Sequence, residues 1–241
     1  MKKMIFVFNP RSGKEQIRSK LLDILDIFTK YGYEVSVYVT QKPLDAMQIV
    51  SRRGRGRSLV VCSGGDGTLN EVVSGLMTIE EGKRPVLGYI PSGSTNDYAS
   101  SIGISKNMKK AALDAVSGGT TAVDVGRFGE DRYFVYVAAF GAFTEVSYST
   151  PQEAKNLLGH QAYMLEAVKR VTNLKAYRMK FEWEDKVLED EFIIGMITNT
   201  ISIGGFKGLV GLMWPWTTVN SRFFLSVNPG HPKILQVLLL I

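Results

Sequence analysis

Apolar runs alternate with amphipathic stretches along roughly the first half of the chain. The runs typical of strands cover residues 3–8, 33–40, 58–64 and 85–91. Between and after them lie helical stretches at residues 15–31, 43–53, 68–77, 97–102 and 106–117. In the first helical stretch, one face carries Ile17, Leu21, Leu22, Ile24, Leu25 and Phe28. Strands that alternate with helices predict an α/β domain whose parallel sheet has helices on both faces.

The second half of the chain has a different pattern. Two alternating stretches, joined by a charged turn at Glu184, Asp185 and Lys186, predict an antiparallel hairpin. A helix is expected over residues 155–172. The predicted organisation is therefore an α/β domain at 1–126 and a mostly antiparallel β-sandwich domain at 127–241.

Composition narrows the classes of function. The chain of 241 residues is 45% hydrophobic and has a formal net charge of +6, which suits an anionic partner. A single cysteine excludes an intrachain disulfide, and two histidines exclude a Cys/His metal cluster. The apolar runs at the two ends are too short for a signal peptide or a membrane span. We therefore expect a cytoplasmic protein that associates at most peripherally with the inner membrane face.

The segment "SGGDGTLNEVV" (63–73) carries the first candidate chemistry. Gly64, Gly65 and Gly67 can adopt positive φ and let a ligand approach the backbone. Thr68 and Glu71 have capping-box spacing, which predicts a helix start directly after the glycines. Asp66 would repel a phosphate unless a divalent cation lies between them. In isolation, such a segment is more often a capped strand-to-helix turn.

Two more polar loops follow predicted strands, "NPRSGK" (9–14) and "PSGSTNDYA" (91–99). The first is not a Walker A loop, because its first glycine and the Ser/Thr after the lysine are missing. Each loop alone would be interpreted as an ordinary turn. The carboxyl ends of parallel strands lie at one edge of the sheet, where ligands of such folds bind. The sequence therefore predicts that all three loops converge on one site.

These three motifs, in this order and at these separations, resemble the diacylglycerol kinase catalytic-domain family of lipid kinases, which includes sphingosine kinases, ceramide kinases and bacterial diacylglycerol kinases. Further similarity in "VDVG" (123–126) and "TPQEAKNLLGHQAY" (150–163) extends the resemblance over roughly residues 3–209. The short bacterial type is the most similar. The G-G-D-G motif alone is shared with NAD kinases and phosphofructokinases.

The resemblance implies ATP and Mg²⁺ as cofactors and transfer of the γ-phosphate to a lipid hydroxyl, giving phosphatidic acid where the lipid is diacylglycerol. The nucleotide contacts that it implies are Asn9, Pro10, Arg11, Ser12, Gly13, Lys14, Thr40, Gly64, Gly65, Asp66, Gly67, Thr68, Leu69, Asn70 and Ser94, the last replacing the usual threonine. The carboxylates that it implies for magnesium, through water, are Asp66, Asp97 and Asp124.

The likeness stops after "GGFKGLVG" (204–211), before the family's P-D-x-x-L-D-D-G segment and the D-G-E motif that supplies its base. The resemblance therefore implies no catalytic residue in this chain, and weak or absent transfer even where ATP binds. Reading the codons of "MWPW" one nucleotide earlier allows "GPDVALDDGEFEVLSV", which resembles the missing segment. We expect residues 212–241 to be an out-of-frame tail, and a genuine divergent terminus remains the alternative.

The expected partners are a lipid substrate and an anionic membrane surface, with a homodimer left open and no nucleic acid. Basic clusters at Arg52, Arg53, Arg55 and Arg57 and at Lys106, Lys109 and Lys110 could dock on anionic headgroups or be ordinary solvated faces. Two alternatives to the lipid kinase stay open: a nucleotide-binding chain without catalysis, and an NAD-kinase-like activity.

Overall fold

The computed structural model describes residues 2–129, 132–141, 175–183, 186–200, 202–203, 206–207, 221–227 and 234–239. The chain divides into two compact units, Met1–Val135 and Tyr136–Ile241. The expected helix at 155–172 and the turn residues Glu184 and Asp185 lie outside the described residues.

The first unit is built on a four-stranded sheet in the order β2-β1-β3-β4. Its strands are β1 (Lys2–Phe8), β2 (Tyr33–Val39), β3 (Leu59–Gly64) and β4 (Val86–Pro91). All three pairings are parallel. The helices are α1 (Ile17–Lys30), α2 (Asp45–Arg53), α3 (Asp66–Met77), α4 (Asp97–Ser101) and α5 (Met108–Ser117).

Both faces of this sheet are covered, as the continuous apolar runs predict. Alternate side chains of β1 enter two separate cores, because successive residues of a strand point to opposite faces. Ile5 and Val7 pack with α2 and α3, whereas Met4, Phe6 and Phe8 pack with α1 and α5. The predicted parallel sheet with helices on both faces is confirmed.

The apolar face predicted for helix α1 is wrong at one residue, Leu22. Ile17, Ile24 and Phe28 are fully buried, whereas Leu22 is 81% exposed. The buried positions follow the spacing of seven and four residues that keeps side chains on one helical stripe. Leu22 lies one residue beyond that stripe, so it faces solvent.

A short antiparallel hairpin ends the first unit. It consists of β5 (Gly126–Phe128) and β6 (Arg132–Phe134). The Val135 N–H that follows β6 donates to Asn70 Oδ1 of α3 at 3.3 Å. This unit therefore ends nine residues beyond the domain boundary predicted at residue 126.

The second unit contains an antiparallel sheet, which confirms the predicted change of architecture. Its strand order is β13-β12-β9-β7, and β8 also pairs with β9. The strands are β7 (Val137–Gly141), β8 (Tyr177–Trp183), β9 (Lys186–Thr198), β12 (Ser221–Val227) and β13 (Ile234–Leu239). Along the chain, the small antiparallel pair β10 (Ser202–Ile203) and β11 (Phe206–Lys207) lies between β9 and β12.

Strands β12 and β13 lie within the segment 212–241, which the sequence predicts to be an out-of-frame tail. The backbone of β12 pairs with both β9 and β13 in antiparallel register. The out-of-frame origin of this segment stays a prediction.

Among the helices of the described residues, none combines the length and apolarity that crossing a bilayer requires.

Candidate functional site

Three loops meet at the carboxyl edge of the parallel sheet. They are a first loop at 9–14 after β1, a glycine loop at 64–67, where β3 ends and α3 begins, and a third loop at 92–96 after β4. Backbone hydrogen bonds connect them: the Asn9 N–H donates to Ser63 O at 2.9 Å, and the Ser92 N–H donates to Gly64 O at 2.8 Å. The predicted convergence of the three loops is therefore present in the structure.

Glycines allow these loops to pack backbone against backbone. Gly13 has a φ of +54°, and a Cβ added there would lie 2.4 Å from Ser92 O. A Cβ added at Gly93 would lie 2.5 Å from the Cα of Gly65. Neither position can accept a larger residue without moving a neighbouring backbone.

The three glycines of the glycine loop do not use the positive φ that the sequence allows them. A Cβ at Gly64 would lie 2.4 Å from Thr68 Cβ, and at Gly65 it would lie 3.4 Å from Gly93 Cα. Gly67 differs, because a Cβ there would meet nothing within 4 Å. Protein packing therefore explains Gly64, whereas a Cβ at Gly65 would make only ordinary contacts and the space beside Gly67 is open.

The predicted capping box is wrong. Helix α3 begins at Asp66, two residues before Thr68, and its N-cap Gly65 is extended and gives no side-chain cap. Glu71 instead accepts the Ala46 N–H of α2 at 3.2 Å, and Thr68 Oγ1 lies 3.5 Å from Asn9 Nδ2. Both side chains of the supposed box are thus engaged with other parts of the fold.

Asp66 joins the glycine loop to α4. Its Oδ2 accepts the Asp97 N–H and its Oδ1 accepts the Tyr98 N–H, both at 3.1 Å. A carboxylate at the N-terminus of a helix satisfies free N–H groups and complements the helix dipole. Burial raises the pKa of Asp66, and these two hydrogen bonds oppose that shift. Asp66 therefore has a structural role that does not require a cation.

The other two carboxylates predicted for magnesium differ in exposure. Asp97 is buried, with 3% of its surface exposed, whereas Asp124 is exposed. Burial, with a smaller contribution from the negative charge of Asp124, raises the pKa of Tyr98 to about 12. Within the described part of the chain, no three Asp, Glu, His or Cys side chains form a group that could hold a metal. Both Asp66 oxygens already accept hydrogen bonds, which does not favour direct binding of a cation, and a cation held through water stays a prediction.

The remaining predicted nucleotide contacts surround the same loops. Ser12 and Gly13 are buried, Asn9 and Pro10 are half-buried, and Arg11, Lys14 and Ser94 are exposed. The Thr40 N–H donates to Phe8 O at 3.0 Å, which places Thr40 beside the end of β1.

Leu69 and Asn70 take part in packing within the first unit. Leu69 is 1% exposed in the core, and its N–H donates to Gly65 O at 3.1 Å. Asn70 accepts a hydrogen bond from the Val135 N–H. The backbone and side chain of Leu69 are thus already occupied within the protein.

Sequence reasoning assigned no structural role to two residues that organise the loops. Asn96 has a φ of +53°, and its side chain accepts from the Gly93 N–H and donates to Gly93 O, both at 2.8 Å. Tyr89 in β4 is buried, and its hydroxyl donates to Gly64 O at 3.1 Å. Asn96 follows the pattern of turn asparagines that tolerate left-handed backbone. Tyr89 gives no such signal, because an aromatic residue in a buried strand is ordinary.

A helix-covered parallel sheet with three connected loops at its carboxyl edge defines an α/β domain of the class that binds ligands at this edge. The sequence model described as "Diacylglycerol kinase catalytic domain" matches residues 3–128, which include all three loops. The chain belongs to this family of lipid kinases.

Similar proteins agree with this assignment. A diacylglycerol kinase of Bacillus subtilis (strain 168) is 34% identical over 93% of this chain and 72% of its own length. One from Staphylococcus epidermidis (strain RP62A) is 37% identical over 87% of this chain and 66% of its own length. The chain thus spans about two thirds to three quarters of these relatives. A crystal structure of a diacylglycerol kinase from Bacillus anthracis str. Sterne superposes with a TM-score of 0.75 at 23% identity, covering 95% of this chain and 75% of its own, and supports the fold.

Proposed function

We propose that the chain is an ATP-dependent lipid kinase that transfers the γ-phosphate of ATP to the hydroxyl of diacylglycerol and forms phosphatidic acid. The observation that carries this proposal is the convergence of the three loops within the segment that the family shares. The name of the similar proteins, diacylglycerol kinase, supports diacylglycerol as the acceptor.

The first turn of α3 is the proposed phosphate site. The Leu69 N–H is bonded to Gly65 O, so the N–H groups preceding it in the first turn have no partner one turn back along the helix. Such groups, together with the positive end of the helix dipole, favour an anion. The open space beside Gly67 lets a phosphate approach this backbone, and the exposed Lys14 of the first loop carries a positive charge.

Asp66, Asp97 and Asp124 are the proposed magnesium residues, acting through water. A divalent cation there would neutralise phosphate charge, which is the main requirement of phosphoryl transfer besides positioning. Asp66 and Asp97 also hold the third loop, because the Asp97 N–H donates to Asp66. We therefore expect these side chains to position the phosphate groups as well as the cation.

Of the basic clusters proposed for an anionic membrane surface, the lysine cluster is partly neutralised. Lys109 pairs with Asp23 at 2.7 Å, and Lys110 pairs with Asp114 at 2.9 Å. In the arginine cluster, Arg53 lies over the Tyr38 ring at 5.5 Å. The arginine cluster is therefore the stronger candidate for contact with anionic lipids, since exposed pairs such as those of the lysines leave little net charge.

ATP labelled at the γ-phosphate, offered with diacylglycerol, sphingosine, ceramide or NAD, tests this proposal. We expect label in phosphatidic acid from a version of the chain with the restored reading frame, and weak or no label from the given chain, which lacks the family's base. Label in NAD or in another lipid would overturn the acceptor assignment. ATP binding without labelled product in either version would instead support the nucleotide-binding alternative.

A further inference from the structure

Tyr89 places a hydroxyl group beneath two of the three loops. It lies in β4, opposite Cys62 of β3, and only 5% of its surface is exposed. Its ring packs in the core cluster that contains Leu69 and Tyr98. A phenylalanine would fill the same apolar surroundings without the cost of burying a polar group. The hydroxyl therefore calls for an explanation beyond packing.

The hydroxyl lies between acceptors that belong to different loops. Gly64 O, at the start of the glycine loop, is 3.1 Å away, and Asn96 Oδ1, at the end of the third loop, is 3.5 Å away. Burial, with a smaller contribution from the charge of Asp66, raises the pKa of Tyr89 well above its ordinary value. The group consequently remains a hydrogen-bond donor at any physiological pH.

Neither acceptor depends on Tyr89 for its only hydrogen bond. Gly64 O also accepts the Ser92 N–H, and Asn96 Oδ1 also accepts the Gly93 N–H, each at 2.8 Å. Loss of the hydroxyl would leave no buried acceptor without a partner, so the fold should tolerate it. What would be lost is the contact that the Tyr89 hydroxyl makes with both loops, in addition to their own backbone hydrogen bond.

The spacing of these loops is narrow. A Cβ at Gly93 would lie 2.5 Å from the Cα of Gly65 and 2.8 Å from Asn96 Oδ1. Close-packed backbones of this kind transmit a shift of one loop to the other. The position of the third loop therefore sets the position of Gly65, the N-cap of α3.

We propose that Tyr89 is a positioning residue that holds the glycine loop and the third loop at the spacing required for nucleotide phosphates. This inference rests on the proposed function. Tyr89 acts through Gly64 and Asn96, and its buried hydroxyl does not itself contact the nucleotide.

The test compares the full chain with Tyr89→Phe and with Tyr33→Phe as a matched control. Tyr33 lies at the start of β2, at the opposite edge of the sheet from the loops, and its ring contact with Lys2 does not need the hydroxyl. Hydrogen exchange of the Ser92 and Gly93 amides without nucleotide measures the loop contact directly. ATP affinity, and the separate KM and kcat of transfer, measure its consequence.

We expect Tyr89→Phe to speed exchange at both amides and to weaken ATP binding, each by about three- to tenfold, as the loss of one hydrogen bond predicts. The midpoint of unfolding and exchange in β1 should change little, and Tyr33→Phe should match the wild type. Unchanged exchange, or faster exchange with unchanged ATP affinity, would overturn the inference. If the wild-type chain bound no ATP, the proposed function would fail, and so would the inferred positioning of a nucleotide. Hydrogen exchange would still show whether Tyr89 connects the two loops.

Discussion

The Asp66 carboxylate has a structural role in the fold, and its oxygens can still accept further hydrogen bonds. Its two oxygens accept the Asp97 and Tyr98 N–H groups and so fix the start of α4. Each oxygen keeps a second lone pair for water. A carboxylate in a glycine-rich loop is therefore not sufficient evidence for a cation, because it can also cap another helix.

Asp66 should make stability depend on pH. Burial raises its pKa above 3.8, the value of the ordinary carboxyl, so the folded state binds more protons than the unfolded state above that pH. Its contribution to the free energy of unfolding is then present at lower pH and is lost as pH rises through the folded pKa. Urea unfolding of the wild type and of Asp66→Asn can be compared in magnesium-free buffer from about pH 4 to about pH 6. As pH rises, the free energy of unfolding of the wild type should fall relative to that of Asp66→Asn.

The control for this prediction is Asp26→Asn, the same substitution at an exposed position of α1 that pairs with Lys30. Its difference from the wild type should not show the Asp66 trend. A wild-type advantage over Asp66→Asn that grows with pH in this interval would contradict the sign of the pKa shift.

At the scale of elements, α2 and α3 are interlocked at the beginning of α2. Leu44, the N-cap of α2, has a left-handed φ of 69° and offers no side-chain cap. Glu71, in the middle of α3, accepts the Ala46 N–H and supplies the missing partner. The orientation of α2 against α3 is thus fixed by a hydrogen bond as well as by apolar packing.

Glu71→Ala should therefore lower the free energy of unfolding by about 1 kcal/mol, the usual cost of losing a helix cap. Glu71→Gln keeps an oxygen acceptor and should lose less. Urea denaturation of both variants measures the difference. Equal losses in the two variants, or no loss in Glu71→Ala, would show that this hydrogen bond does not support α2.

The elements of the first unit could be predicted from the sequence because apolar periodicity is a local signal. Each predicted strand and helix of that unit is present, with ends shifted by a few residues. The capping box was misassigned because Thr68 and Glu71 have the right spacing but bind partners far away in the chain, Asn9 and Ala46. Local spacing cannot show which side chain a tertiary contact will take.

At the scale of the whole chain, the location of the site could be predicted from the sequence, but the packing of its loops could not. Parallel strands bring their carboxyl ends together, so the convergence of three loops followed from the predicted parallel sheet alone. The contact of Gly93 with Gly65, and the position of Tyr89 beneath both loops, depend on how the loops pack. No motif in the sequence identifies either feature.

The central claim is that the three loops bind the phosphates of ATP, and titration of the folded chain with ATP and Mg²⁺ tests it most directly. Gly67→Ala is the decisive variant, because its added Cβ meets no protein atom while alanine favours a helix over glycine. We predict saturable ATP binding by the wild type. In Gly67→Ala, stability should be unchanged or higher, and the affinity for ATP should be at least about tenfold weaker, a loss of about 1.4 kcal/mol of binding free energy. Absence of saturable binding by the folded wild type, or equal affinity in Gly67→Ala, would contradict the account.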